Sequence, residues 1–249
     1  MSTLLTGERN MIDIHMHLIP GVDDGAEDME MALVMMYRAG QQGISQIIAT
    51  PHSEVFHYSK EGGKIIFGRL LDAAAKVCPD MKLYRGCEVY CETGIMDSVL
   101  EALDSGRYPT MNGTKYVLME FSQWVYPDRT IPCVEAMVNA GYIPIIAHME
   151  RYKYLRDNMD LVDRFRELGA LIQLNAYSLF DELDDSIKNW ARWLVQERKV
   201  DFLGTDAHRT YHRPPSAEYG LNWLYENVET EYAMAIAWKN AERFLLTSE

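Results

Sequence analysis

Tyr142-Ile143-Pro144-Ile145-Ile146-Ala147-His148-Met149 is an almost unbroken apolar run that ends on a histidine. A run of that kind, too short for a core helix and not alternating, reads as a strand buried on both faces, as in a parallel sheet. Working outward, the same pattern recurs in Met11–His17, Ile44–His52, Lys82–Tyr90, Tyr116–Phe121, Leu171–Ala176 and Phe202–His208. Helical periodicity lies between the runs. Ala32, Met35, Met36 and Ala39 fall on one helical face, as do Leu161, Val162, Phe165 and Leu168, and again Leu183, Ile187, Trp190 and Leu194. Gly43, Gly141 and Gly169 stand just before strands, where helices end in left-handed caps. Strand then helix, repeated, predicts a parallel α/β architecture, a closed or nearly closed barrel before an open doubly wound sheet.

The strand ends carry the chemistry. His15 and His17 close the first run, His52 the second, Glu88 the third, Glu120 the fourth, His148 the fifth, and Asp206 with His208 the last. In a barrel the C-terminal strand ends form the site. Residues two apart in a strand share a face, so His15 and His17 can grip one ion, as can Asp206 and His208. A lone histidine is more often structural, but so many metal-competent strand ends together point to a metal centre. Mixed imidazole and carboxylate donors suit Mn, Fe, Zn or Co better than Ca or Mg. Four candidate carboxylates, Asp24, Glu88, Glu120 and Asp206, leave three divalent ions with surplus positive charge, which attracts a phosphate dianion. Arg151 and Arg213 follow ligand motifs and can bind phosphate oxygens bidentately. In the turn Gly21-Val22-Asp23-Asp24-Gly25, Asp24 reads as ligand or general acid and Asp23 as a turn or cap residue.

Composition sets limits. The chain has 249 residues, 48% hydrophobic, enough for a substantial core, with no run near the length of a membrane helix. Residues 1–10 lack the apolar core of a secretory signal, so a cytoplasmic protein is expected. A net charge of −13 opposes docking on nucleic acid. Cys78, Cys87, Cys91 and Cys133 form no Cys-x-x-Cys pair, and none precedes an arginine by six positions, so a thiolate phosphatase signature is absent. Ser53 to Gly63 and Arg209 to Ser216 read as exposed loops.

Ile12-Asp13-Ile14-His15-Met16-His17, Pro20-Gly21-Val22-Asp23-Asp24-Gly25 and Ala49-Thr50-Pro51-His52 resemble the polymerase and histidinol phosphatase (PHP) superfamily. More narrowly they resemble the manganese-dependent protein tyrosine phosphatases of bacterial capsule and exopolysaccharide loci, the CpsB/YwqE type. Gly86-Cys87-Glu88-Val89-Tyr90, Leu118-Met119-Glu120-Phe121, Ala147-His148-Met149-Glu150-Arg151-Tyr152 and Asp206-Ala207-His208 with Arg213-Pro214-Pro215 continue the likeness in order. The resemblance implies a distorted (β/α)7 barrel, one PHP domain from residue 11 to 249 behind an extension of residues 1–10. It implies a first ion on His15, His17, Glu88 and Asp206, a second on Glu88, Glu120 and His148, and a third on Asp24, His52 and His208. Two or three divalent ions follow, Mn²⁺ foremost, with Fe, Zn, Co or Mg as alternatives. Arg151 and Arg213 match the family's phosphate-contacting arginines. The implied partner is a phosphotyrosine protein, the tail of a bacterial tyrosine kinase, and a homo-oligomer is compatible with this. The rival readings are a phosphatase for a small ester such as histidinol phosphate, a nuclease or polymerase-editing domain, and a non-catalytic scaffold for phosphorylated tails.

Overall fold

The computed structural model describes residues 10–54, 60–124, 127–180 and 185–247. Every paired strand is parallel. Strands β1 (Met11–Met16), β2 (Ile44–Ala49) and β3 (Lys82–Arg85) form one run. A second run holds β4 (Glu88–Tyr90), β5 (Tyr116–Glu120), β6 (Ile143–Ile146), β7 (Leu171–Asn175) and β8 (Phe202–Gly204), in that order. Single parallel bridges, His52 to Glu88 and Met16 to Ala207, join the two runs at both seams. The result is a distorted barrel whose ladder thins at two places.

Buried polar groups hold the β1–β8 seam. The Asp206 N–H donates to His15 O at 2.7 Å and the His17 N–H to Ala207 O at 2.9 Å. Asp13 is fully buried; its carboxylate accepts from the His15 and Thr205 N–H groups and from Thr205 Oγ1 at 2.5 Å. Burial nevertheless raises its pKa to about 6 against those hydrogen bonds. Gly204 is required here: a Cβ would lie 2.7 Å from His15 Cβ, so any side chain would push β8 off β1.

The third predicted strand is two strands. Its middle, Gly86-Cys87, leaves β3 and crosses to the second run, and the Gly86 and Glu88 N–H groups donate to Ala49 O and Pro51 O. Glu88 therefore opens β4 instead of closing a longer strand. A side chain at Gly86 would crowd Ile48 and Met111 at 3.0 Å, so the crossing is tight and a larger residue would need those side chains to shift.

Helices cover the strands as the periodicity predicts. In α1 (Met29–Gln41) Ala32, Met35, Met36 and Ala39 are the buried face. Lys60 to Gly63, expected in a loop, open α2 (Lys60–Val77), because the amphipathic pattern downstream overrides two glycines of weak helix propensity. Next come α3 (Met96–Asp104), α4 (Pro127–Asn139), α5 (Lys153–Arg156), α6 (Asp160–Glu167) and α7 (Asp185–Gln196), then α8 (Glu218–Asn227) and α9 (Thr230–Met234). Val162 and Phe165 are buried in α6, and Trp190 and Leu194 in α7, while Leu183 lies outside the described residues. Gly43, Gly141 and Gly169 have φ of +84°, +90° and +95°, the left-handed caps expected.

The main core lies between strands and helices. A smaller cluster of Ile12, Ile14, Ile48, Leu118, Ile145 and Phe202 takes in Met111 and Leu245. The Asn112 amide donates to Leu245 O at 3.0 Å, so the C-terminal segment packs the barrel end opposite the ligand residues. Among the described residues no helix is long and apolar enough to cross a membrane.

Candidate metal centre

All the predicted strand-end side chains meet at one mouth. His15 Nε2 lies 3.3 Å from His17 Nε2, 3.3 Å from Glu88 Oε1 and 3.5 Å from Asp206 Oδ1. His17 Nε2 is 3.2 Å from Glu88 Oε2 and 3.4 Å from Asp206 Oδ1. His148 Nε2 is 2.9 Å from Glu88 Oε1 and 3.6 Å from Glu120 Oε1. His52 reaches Glu88 with Nδ1 at 3.1 Å and Asp24 with Nε2 at 3.5 Å, and His208 Nε2 is 3.3 Å from Asp24 Oδ1. Glu88 sits at the centre and is 1% exposed, whereas Asp24 at the rim is 57% exposed.

Hydrogen bonds behind the rings fix which imidazole nitrogen faces inward. Gln173 Oε1 accepts from the His148 N–H at 2.8 Å, and Gln173 Nε2 donates to Asn175 Oδ1 at 3.0 Å, so the amide orientation is set. His15 Nδ1, 3.2 Å from that same Oε1, must carry the proton. His17 Nδ1 donates to Asp23 Oδ2 at 2.8 Å, and His208 Nδ1 donates to Asp206 O at 2.9 Å. All three rings therefore turn Nε2 toward the cluster, the arrangement of metal-ligating histidines.

Two further observations fit cations. Among the described residues, Glu88 Oε2 and His208 Nε2 are buried without a hydrogen bond of good geometry, despite the short distances to their neighbours. Three groups of donor atoms lie within 4.8 Å of one another: His15, His17 and Glu88; His52, Glu88 and Glu120; and His17, Asp24, His52 and His208. Asp206 and His148 flank the first two groups. A facing pair of lone pairs is repulsive alone and favourable around a divalent ion.

The electrostatics agree. Burial opposes a charge on Asp206, but His15, His17 and Arg151 hold its carboxyl well below the usual range. Burial, aided by His17, pushes His208 down to about 2, which keeps it neutral. Burial and the neighbouring Glu88 raise Glu120 to about 7. For His17, burial is overcome by Asp206, Asp23 and Glu88, and its pKa rises well above the ordinary value. Carboxylates that draw a proton onto a buried imidazole draw a divalent cation equally.

The arginines stand on one side. Arg151 Nη1 is 2.6 Å and Arg213 Nη1 3.3 Å from Asp206 Oδ2, and Arg213 Nη2 is 3.4 Å from Asp24 Oδ2. His148, Asp206 and Arg213 have left-handed φ of 32°, 52° and 50°. Such backbone costs about 1–3 kcal/mol per residue and persists where surrounding contacts hold it.

A profile of the capsular polysaccharide synthesis CpsB/CapC family matches residues 11–246. The chain belongs to the CpsB/CapC family. Among its relatives, the tyrosine-protein phosphatase YwqE of Bacillus subtilis is 31% identical over 243 residues, 94% of this chain and 91% of that protein. The tyrosine-protein phosphatase CpsB of Streptococcus pneumoniae is 26% identical over 95% of this chain and 98% of its own. A crystal structure from a study of YwqE and CpsB, described as metal-dependent tyrosine phosphatases, superposes with a TM-score of 0.81 at 27% identity, covering 96% of each chain. A dihydropyrimidinase from Brevibacillus agri shares the barrel alone, at 12% identity and a TM-score of 0.57 over 94% of this chain and 70% of its own.

In this CpsB/CapC chain one residue exceeds its sequence reading. Asp23, read as a turn residue, is the hydrogen-bond acceptor that orients His17, and it also accepts from the His52 and Gly25 N–H groups. A Cβ at Gly25 would lie 2.2 Å from His17 O, so glycine lets this turn fold onto the histidine. Gln173 and Asn175, polar residues within an otherwise apolar strand, were the other available signal.

Proposed function

We propose that this chain is a metal-dependent protein-tyrosine phosphatase, with one catalytic domain from residue 11 onward. The observation that carries the reading is the cluster of inward Nε2 atoms and carboxylates around Glu88, with Arg151 and Arg213 beside it. Membership of a family whose relatives are named tyrosine phosphatases supports it. His15, His17, Glu88 and Asp206 would hold one ion, Glu88, Glu120 and His148 a second, and Asp24, His52 and His208 a third, with Mn²⁺ the preferred metal. Bound divalent ions supply Lewis acidity toward phosphate and an activated water at neutral pH.

The chain's own residues do the rest. Arg151 and Arg213 donate to the oxygens of the transferring phosphoryl group and offset its charge. Asp206 holds both guanidinium groups in place. Asp24, at the exposed rim and in reach of Arg213, is placed to assist departure of the tyrosyl oxygen. That oxygen leaves more readily than an alkoxide, since phenol has a pKa of about 10. The physiological substrate is the tyrosine-rich tail of a bacterial kinase that controls polysaccharide export, a flexible segment suited to an open mouth. The test is phosphate release by the Mn²⁺-loaded protein from a tyrosine-phosphorylated tail peptide, a phosphoserine peptide and histidinol phosphate. Preference for the first is expected. A higher kcat/KM on histidinol phosphate would overturn the reading.

A further inference from the structure

A cavity of about 430 Å³ opens beside the metal centre, and Arg151 and Arg213 form the wall that the two share. Its floor is Asn175 and Thr205, and Tyr177, Ile187 and Pro214 line it further out. The floor's polar groups are turned away from it. Thr205 Oγ1 donates to Asp13 Oδ2 and accepts from the Ala207 N–H. Asn175 Oδ1 accepts from Gln173, and its amide nitrogen lies 3.4 Å from Asp206 Oδ2. Ser178, also on the lining, donates to the buried Glu150 carboxylate at 2.7 Å. With the Thr205, Asn175 and Ser178 groups engaged elsewhere, the cavity, which Ser216 also lines, offers a ligand largely apolar walls and two guanidinium groups. A sugar would find few free partners deep inside. A flat aromatic ring finds apolar contact, and cation–π attraction where a guanidinium lies within about 6 Å of its face.

We propose that this cavity is the aryl subsite, which takes the phenyl ring of phosphotyrosine while Arg151 and Arg213, at its edge toward the metal centre, hold the phosphate. The proposal rests on the tyrosine-phosphatase reading above and adds where its selectivity over aliphatic phosphoesters arises. A phosphoserine side chain ends before the cavity and leaves it unfilled, so the ring's contact is absent for that substrate. Tyr177 and Ile187 are then specificity residues, outside the set that touches phosphate.

The experiment fills the cavity. Ile187→Trp, at a half-buried position near the start of α7, is assayed in the Mn²⁺-loaded protein against a phosphotyrosine peptide, while calorimetry follows binding of inorganic phosphate. KM for the peptide should rise about ten-fold, the order of effect of a lost apolar pocket, with phosphate affinity within about two-fold of the parent. Tyr177→Ala, at an exposed position that does not threaten folding, should raise KM about three-fold with the same phosphate affinity. Unchanged KM in an active pair of variants would overturn the subsite and leave the phosphatase reading intact. Parallel loss of phosphate affinity would also overturn it, because the effect would then run through the arginines. A parent protein with no turnover of the peptide would remove both claims together.

Discussion

The Nε2 atoms of His15 and His17 face each other at 3.3 Å, while the Nδ1 of each donates outward, to Gln173 and to Asp23. The Nδ1 proton of each ring is thus pinned outward, so Nε2 is the nitrogen left to a cation once it displaces the proton that the neighbouring carboxylates draw there. Replacing either by Ala removes a donor from the mouth and not from the packed layers, so the barrel should fold and activity should be lost. Circular dichroism with a phosphate-release assay checks this; an unfolded variant would make the histidine structural.

Asp23→Asn keeps the shape of that side chain and removes its charge. Affinity for Mn²⁺ should fall about 10–100-fold, the usual effect of losing a partner that orients a ligand. Turnover should recover substantially at saturating metal. Unchanged metal affinity would return Asp23 to a turn residue, as its sequence context suggests.

The two arginines should differ. Arg213→Ala should lower kcat/KM at least about ten-fold and leave metal content intact. Arg151 makes the shorter contact with Asp206, so Arg151→Ala should cost activity and loosen metal as well. Lysine at either position should rescue only in part, since a point charge cannot reproduce a two-donor fork. Steady-state kinetics with metal analysis separates these effects, and near-normal kcat/KM in both Ala variants would leave phosphate to the metals alone.

Glu120 sets a pH dependence. Its carboxyl, raised by burial and Glu88 to about 7, keeps a proton in the metal-free protein that the unfolded chain would release near 4.5. The folded state binds more protons in that window, so this group's contribution to metal-free stability falls as pH rises from about 4.5 to 7. Metal uptake expels the same proton, so this group makes Mn²⁺ affinity rise with pH up to about 7, and the protons held by His17 and by His52, whose pKa is raised to about 9, extend the rise above it. Titration calorimetry across pH 5–8 checks the slope, which Glu120→Gln should flatten.

Much of this site was legible because strand-end position and ligand chemistry coincide. Histidines and carboxylates closing apolar runs fall at one rim of a parallel barrel, whatever the lengths of the intervening helices. The break between β3 and β4 was not legible: an apolar run with glycine inside reads as one strand, and only the tight packing of Gly86 against Ile48 and Met111 shows the crossing. Asp23 was hidden for a related reason. An aspartate in a turn beside glycine is normally explained locally, and its bond to His17 depends on how the turn folds back. The β7 residues Gln173 and Asn175 gave a readable but unused hint. Buried polar side chains in the one candidate strand without a metal-competent end must hydrogen-bond something, and they brace the ligands of neighbouring strands.

The cysteines should be spectators. Cys87, Cys91 and Cys133 are buried, at most 1% exposed. Alkylation of the native protein should therefore reach Cys78 first and leave phosphate release unchanged. Mass spectrometry paired with the assay tests this; activity lost in step with Cys78 modification would implicate that thiol.

The central claim is that the donor atoms gathered around Glu88 bind the cations on which hydrolysis depends. The most direct measurement is phosphotyrosine-peptide turnover against metal content, as bound metal is stripped by a chelator and restored with Mn²⁺. Turnover should vanish with the metal and return in proportion to Mn²⁺ bound, while Glu88→Gln protein neither retains metal nor recovers. Full turnover by protein freed of metal would contradict the account.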